Sequence, residues 1–98
     1  MSIQTENRRE AYYNIRPEIP NRKWYVVQAM KGHPNGITSE DVLTELISAG
    51  VVHGYDLNYV RPRITTLFEE GIVEAIGKTK SPRSGRSVTV WRLKNDEN

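Results

Sequence analysis

The sequence predicts an α+β domain: a three-helix core followed by a C-terminal β-hairpin, with an extra helix at the N-terminus. Three observations carry that expectation. Apolar residues recur at helical spacing over 21–31, 38–50 and 57–70, the period switches to two after Gly71, and a basic stretch containing Pro and Gly separates two β-rich runs. At 98 residues the chain has the size of one domain. We divide it into an N-terminal helical extension over 1–16, the core domain over 17–94 and a flexible tail over 95–98.

In the extension, Thr5 to Ile15 carries Ala11, Tyr12 and Ile15 at a spacing compatible with a short amphipathic helix. Pro17 and Pro20 break it, because a proline disfavours helical geometry in the residue before it. Pro20 then stands where the next helix can begin. Trp24, Val27 and Met30, with Val26 beside them, form its apolar stripe, and Gly32-His33-Pro34-Asn35-Gly36 ends it.

The next start signal is a capping box. The Thr38 hydroxyl can accept from the Asp41 backbone N–H, with the Asp41 carboxylate able to reach back, while Ile37 and Val42 form the matching hydrophobic staple. Glu40 and Asp41 suit the positive helix end. Val42, Leu43, Leu46 and Ile47 supply the buried face, and Gly50 is the stop. After the connector 51–56, a helix is expected from Leu57 or Asn58 to Glu70, with Pro62 in or just after its first turn. On a helical wheel Leu57, Val60, Ile64, Leu67 and Phe68 fill one face. Asn58, Tyr59, Pro62 and Thr66 fill the opposite one, flanked by Arg61 and Arg63. Ile72-Val73, Ala75-Ile76 and 87–93 then read as two strands joined by a basic loop over 77–86.

Composition removes several classes of function. With no cysteine, disulfide scaffolds, thiolate metal sites and Cys nucleophiles are excluded. No apolar run approaches the roughly 18 residues that a membrane span requires. The polar start MSIQTENRRE does not read as a signal peptide, so the expected compartment is the cytoplasm. Between Ala75 and Lys94 stand Lys78, Lys80, Arg83, Arg86, Arg92 and Lys94 with no acid among them. With the whole chain at +2, the remainder carries −4. Such asymmetry is either a solvated basic hairpin or an electrostatic footprint for a polyanion.

The order of three helices and a basic-tipped hairpin is that of winged helix-turn-helix domains. TSEDVLTELISAG (38–50) resembles their positioning helix, and the stretch 60–93 resembles their reading helix, turn and wing. Ala11-Tyr12, Pro62-Arg63-Ile64, Gly77-Lys78 and Ser84-Gly85-Arg86 are similar to residues of small stand-alone winged-helix proteins of bacteriophages and prophages. The resemblance implies binding of double-stranded DNA and regulation of transcription, in a bacterial cell or phage-infected host. It places the third helix in the major groove, with Asn58, Tyr59, Arg63 and Thr66 projecting from it. Arg61 or Arg63 would grip guanine. Asn58 would meet adenine or simply cap the helix, and Tyr59 would meet the groove or pack on the connector. The helix N-terminus offers its free N–H groups to a phosphate. Lys78, Lys80, Arg83 and Arg86 would neutralise phosphates, with an arginine at the tip entering the minor groove and the tip side chains fanning outward. Arg92 and Lys94 are expected only to solubilise the last strand.

Other chemistry finds no support in the residues. His33 and His53 lie in separate turns without metal-ligand spacing, so no metal or cofactor is expected. The serines have no base and orienting acid beside them, and Gly77-Lys78-Thr79 lacks the rest of a phosphate-binding loop. No enzyme is indicated. The rival readings are a protein-interaction winged helix, which would need an apolar exposed face on the third helix, and a non-specific DNA-binding accessory in replication or packaging. The N-terminal helix either completes the core or pairs two copies into a homodimer.

Overall fold

A computed structural model describes residues 17, 18 and 20–94. The expected helix over 5–15, the Ala11-Tyr12 motif and the tail 95–98 lie outside the described residues. Among the described residues, three helices and a three-stranded antiparallel sheet follow in the order α1 (Arg22–Lys31), β1 (Ile37–Thr38), α2 (Ser39–Ser48), a 3-10 turn (Leu57–Tyr59), α3 (Arg61–Glu69), β2 (Val73–Lys80) and β3 (Ser87–Leu93). The sheet order is β1-β3-β2. This α+β arrangement is compatible with the winged-helix expectation.

Local chemistry accounts for the helix ends. Asn21 caps α1, its side chain accepting from the Trp24 N–H at 2.8 Å. Pro20 therefore precedes the cap and does not open the helix. Thr38 caps α2 as expected, accepting from the Asp41 N–H at 3.2 Å. Both α2 and α3 end in the same double hydrogen bond over a left-handed glycine. Val51 N–H reaches Leu46 O and Gly50 N–H reaches Ile47 O; Ile72 N–H reaches Leu67 O and Gly71 N–H reaches Phe68 O. In each case the residue after the glycine, Val51 or Ile72, packs on the core.

One core joins all the helices. Val26, Val27 and Met30 of α1 meet Val42, Leu43 and Leu46 of α2 and Ile64 and Leu67 of α3, closed by Ile37, Val60, Ile72 and Val73. Ile37 and Val42, the expected staple, are both buried in it. Ile37-Thr38 also forms a short strand that two residues of sequence did not announce, pairing with Trp91 and Val90 of β3.

Three expectations require correction. The third helix does not run from residue 57: Leu57–Tyr59 forms a 3-10 turn, and α3 starts at Arg61 with Pro62 in its first turn. Proline explains the break, since it supplies no donor and crowds the preceding backbone. Phe68 does not fill the core face; it is 52% exposed, because Ile64 and Leu67 take the centre of that face. The basic loop is also shorter than 77–86. Gly77 to Lys80 pair in register with Val90 to Ser87, leaving only Ser81–Arg86 as the turn, and Ile76 is the extra residue of a bulge between Ala75 and Gly77.

Candidate nucleic-acid interface

The exposed side of the 3-10 turn and α3 runs through Asn58, Pro62, Thr65 and Glu69. Asn58 is not the helix cap: the Asp56 carboxylate accepts from the Asn58 N–H at 2.9 Å and so caps the 3-10 turn, which leaves the exposed Asn58 side chain outside that role. The α3 N-terminus is a poorer anion cradle than expected. Pro62 has no N–H, and the Val60 N–H is already donated to Leu57 O. Thr66 is half-buried and donates its hydroxyl to Pro62 O at 3.0 Å, so its proton turns inward onto the helix backbone.

Arg61 and Arg63 do stand on opposite flanks. Exposed Arg61 faces β3 across a cleft of about 340 Å³, also lined by Ile64 and Thr65 of α3, Ser39 and Glu40 of α2, and Ser87, Val88, Thr89 and Trp91 of β3. Half-buried Arg63 lies near enough to Tyr59 for its charge to act on that phenol. Tyr59 packs inward on the core cluster, with the Arg22 guanidinium 5.0 Å from its ring centroid. Burial pushes the Tyr59 phenol above its ordinary 10.0. The Arg22 charge opposes that shift, Tyr25 adds to it and Arg63 opposes it, so the hydroxyl keeps its proton at neutral pH.

The hairpin carries the cations. Lys78 and Lys80 are exposed on one face of β2 and line a groove of about 370 Å³ with Thr79, Gly85 and Ser87. Among the described residues, Lys78, Lys80, Arg83 and Arg86 form no ion pair, whereas Arg92 pairs with Glu74 at 2.8 Å and Lys23 with Glu70 at 2.9 Å. Arg92 thus serves a cross-strand pair, as its register opposite Glu74 dictates. Arg83 does not fan outward. Its guanidinium lies 3.7 Å from the centroid of the Tyr55 ring in the connector.

The turn beneath Arg83 is internally closed. Ser81, only 1% exposed, donates its hydroxyl to Glu40 Oε1 at 2.6 Å and accepts from the Arg83 and Ser84 N–H groups at 3.1 and 3.2 Å. Arg86 N–H reaches Ser84 Oγ, Gly85 N–H reaches Ser81 O, and Ser81 N–H reaches Arg86 O.

Tyr55, Glu40, Arg22 and Thr65 join this surface although the sequence placed none of them in it, Glu40 having been expected only to suit the α2 N-terminus. Thr65 had a signal, standing one helical turn beyond Arg61. Tyr55, Arg22 and Glu40 had none, because their contacts are long-range. The structure also sets His33 against the Glu45 carboxylate, a contact between a turn and α2. Among the described residues no three His, Cys, Asp or Glu side chains cluster as metal ligands, and no helix is long and apolar enough to cross a membrane. Comparison with family models, curated proteins and solved structures gives no match.

Proposed function

We propose that this chain is a winged-helix protein that binds double-stranded DNA and regulates transcription in a phage-infected or bacterial cell. In this reading α1, α2 and α3 with the sheet form the winged-helix body, and β2, β3 and their turn form the wing. The observation that carries the reading is the set of exposed cations on the hairpin that form no ion pair among the described residues, beside the polar side of α3. A polyanion spaced like a duplex fits that layout, since phosphate neutralisation releases counterions wherever Lys and Arg meet the backbone. Asn58 of the 3-10 turn and Arg61 and Thr65 of α3 are the exposed side chains best placed to meet base edges, while Arg63 is half-buried. No catalytic step belongs to this reading.

Titration of a random-sequence duplex against salt tests it. With four to six phosphate contacts, affinity falls about a hundredfold to a thousandfold between 50 and 200 mM salt. A flat response overturns the proposal.

One observation favours a second reading, the sequence-independent accessory. The centre of the exposed α3 face includes Pro62, which offers no hydrogen-bonding side chain, and Glu69, which repels phosphate. Selection of bound sequences from a random duplex pool, followed by Arg61→Ala, separates the two. If Arg61 reads a base, the substitution costs about 1–3 kcal/mol on the selected site and less on random duplex. Equal weakening on both, or a pool that yields no preferred sequence, supports the accessory.

A further inference from the structure

An acid in the cleft between α3 and the hairpin is out of place on a surface meant for phosphate. Glu40 nevertheless lines that cleft together with Arg61 and Ser87. Its carboxylate is bonded to Ser81 Oγ, the same oxygen that receives the Arg83 and Ser84 amides. Glu40 belongs to the first turn of α2, whose cap Thr38 is paired into the sheet through β1, so this hydrogen bond ties the turn to the rigid body of the molecule. The second tie is the Arg83 guanidinium on the Tyr55 ring. Tyr55 is 39% exposed and lies two residues before the 3-10 turn that leads into α3.

We infer that Glu40, Ser81 and Tyr55 are positioning residues that fix the hairpin tip and the Arg83 cation beside the approach to α3 before any duplex arrives. The inference rests on the DNA-binding reading above for its purpose, and on the observed contacts for its geometry. A guanidinium stacked on an aromatic face keeps its edge N–H donors directed outward, so Arg83 can meet a phosphate without leaving Tyr55. Ordering a long side chain and a loop at the moment of binding weakens association, and a tip ordered beforehand avoids that loss. Glu40 accordingly opposes binding by its charge and favours it by its hydrogen bond.

Two substitutions separate those effects. Glu40→Gln and Glu40→Ala remove the same charge from the α2 N-terminus, but only Gln retains an oxygen able to accept from Ser81. The expected order of affinity for a random-sequence duplex at fixed salt is Glu40→Gln at or above the wild type, and Glu40→Ala about two- to tenfold below Glu40→Gln. Tyr55→Ala loses a comparable factor and Tyr55→Phe retains the wild-type value, since the ring alone supports the guanidinium. Equal affinity of Glu40→Ala and Glu40→Gln, or wild-type affinity of Tyr55→Ala, overturns the inference.

Amide hydrogen exchange of Arg83 and Ser84, without DNA, gives an independent reading. Protection is kept in Glu40→Gln and lost in Glu40→Ala while the α2 and α3 amides stay protected. Unchanged protection in Glu40→Ala overturns the tether. Should the wild type show no salt-sensitive association with duplex, the proposed function fails, and the exchange data still decide whether the tip is held.

Discussion

Tyr59 shows how one side chain couples the flank of α3 to the stability of the chain. Its phenol is packed on the core beside Arg22, and burial raises its pKa more than the two arginines lower it. In the unfolded chain the same phenol titrates near its ordinary value, so above about pH 10 the unfolded state releases its proton first and stability falls as pH rises. Below that range the phenol is neutral in both states and the effect vanishes. Melting temperatures of the wild type and Tyr59→Phe, compared from about pH 8 to pH 11, check this. The wild type is expected to lose ground to the variant only at the alkaline end. A gap independent of pH contradicts the account.

Elements meet in places that periodicity cannot announce. Gly36, in the turn between α1 and β1, has φ +115°, and a Cβ there would lie 2.6 Å from Val90 Cγ1 and 2.7 Å from Ile76 Cδ1. The turn is pressed against the hairpin at the bulge, and that contact helps seat β3 beside β1. Gly36→Ala combines an unfavourable backbone conformation with overpacking and should cost about 2–4 kcal/mol, measured by denaturant unfolding. The sequence made the helices legible through Thr38, Gly50, Gly71 and the apolar spacing, because those signals act within a few residues. It made the strands legible through the change of period. The two-residue β1 and the edge-on contact of Phe68 with Trp91 at 5.7 Å depend on partners far along the chain, whereas the 3-10 turn before α3 follows from a local competition in which Pro62 and Asp56 decide where the helix starts. Asn58 misled for a related reason, since Asp56 two residues earlier competes for the same capping role.

On the scale of the whole molecule, four exposed cations, Lys78, Lys80, Arg83 and Arg86, gather on β2 and the hairpin turn. The basic stretch was readable from composition, and so were the candidate contacts Lys78, Lys80 and Arg86, which stand exposed. What composition could not supply was the loss of Arg92 to Glu74, or the folding back of Arg83 onto Tyr55. If Lys78, Lys80 and Arg86 each meet a phosphate, their combined replacement by Gln lowers the slope of log affinity against log salt by about 2.7, at 0.9 per contact. Duplex titrations of the two proteins over the same salt range check it. An unchanged slope removes the hairpin from the interface.

The eight-residue β2 forms the outer border of the sheet, since β3 occupies the middle position. Such a border offers unsatisfied main-chain groups to any other extended chain, and natural proteins guard it with lysines and irregular pleating. Lys78, Lys80 and the displaced Ile76 meet that description. The same ammonium groups, proposed above to meet phosphate, therefore also guard this edge. Neutralising them invites strand-to-strand self-association, and glutamate in their place, which repels both a sister chain and nucleic acid, keeps the two consequences apart.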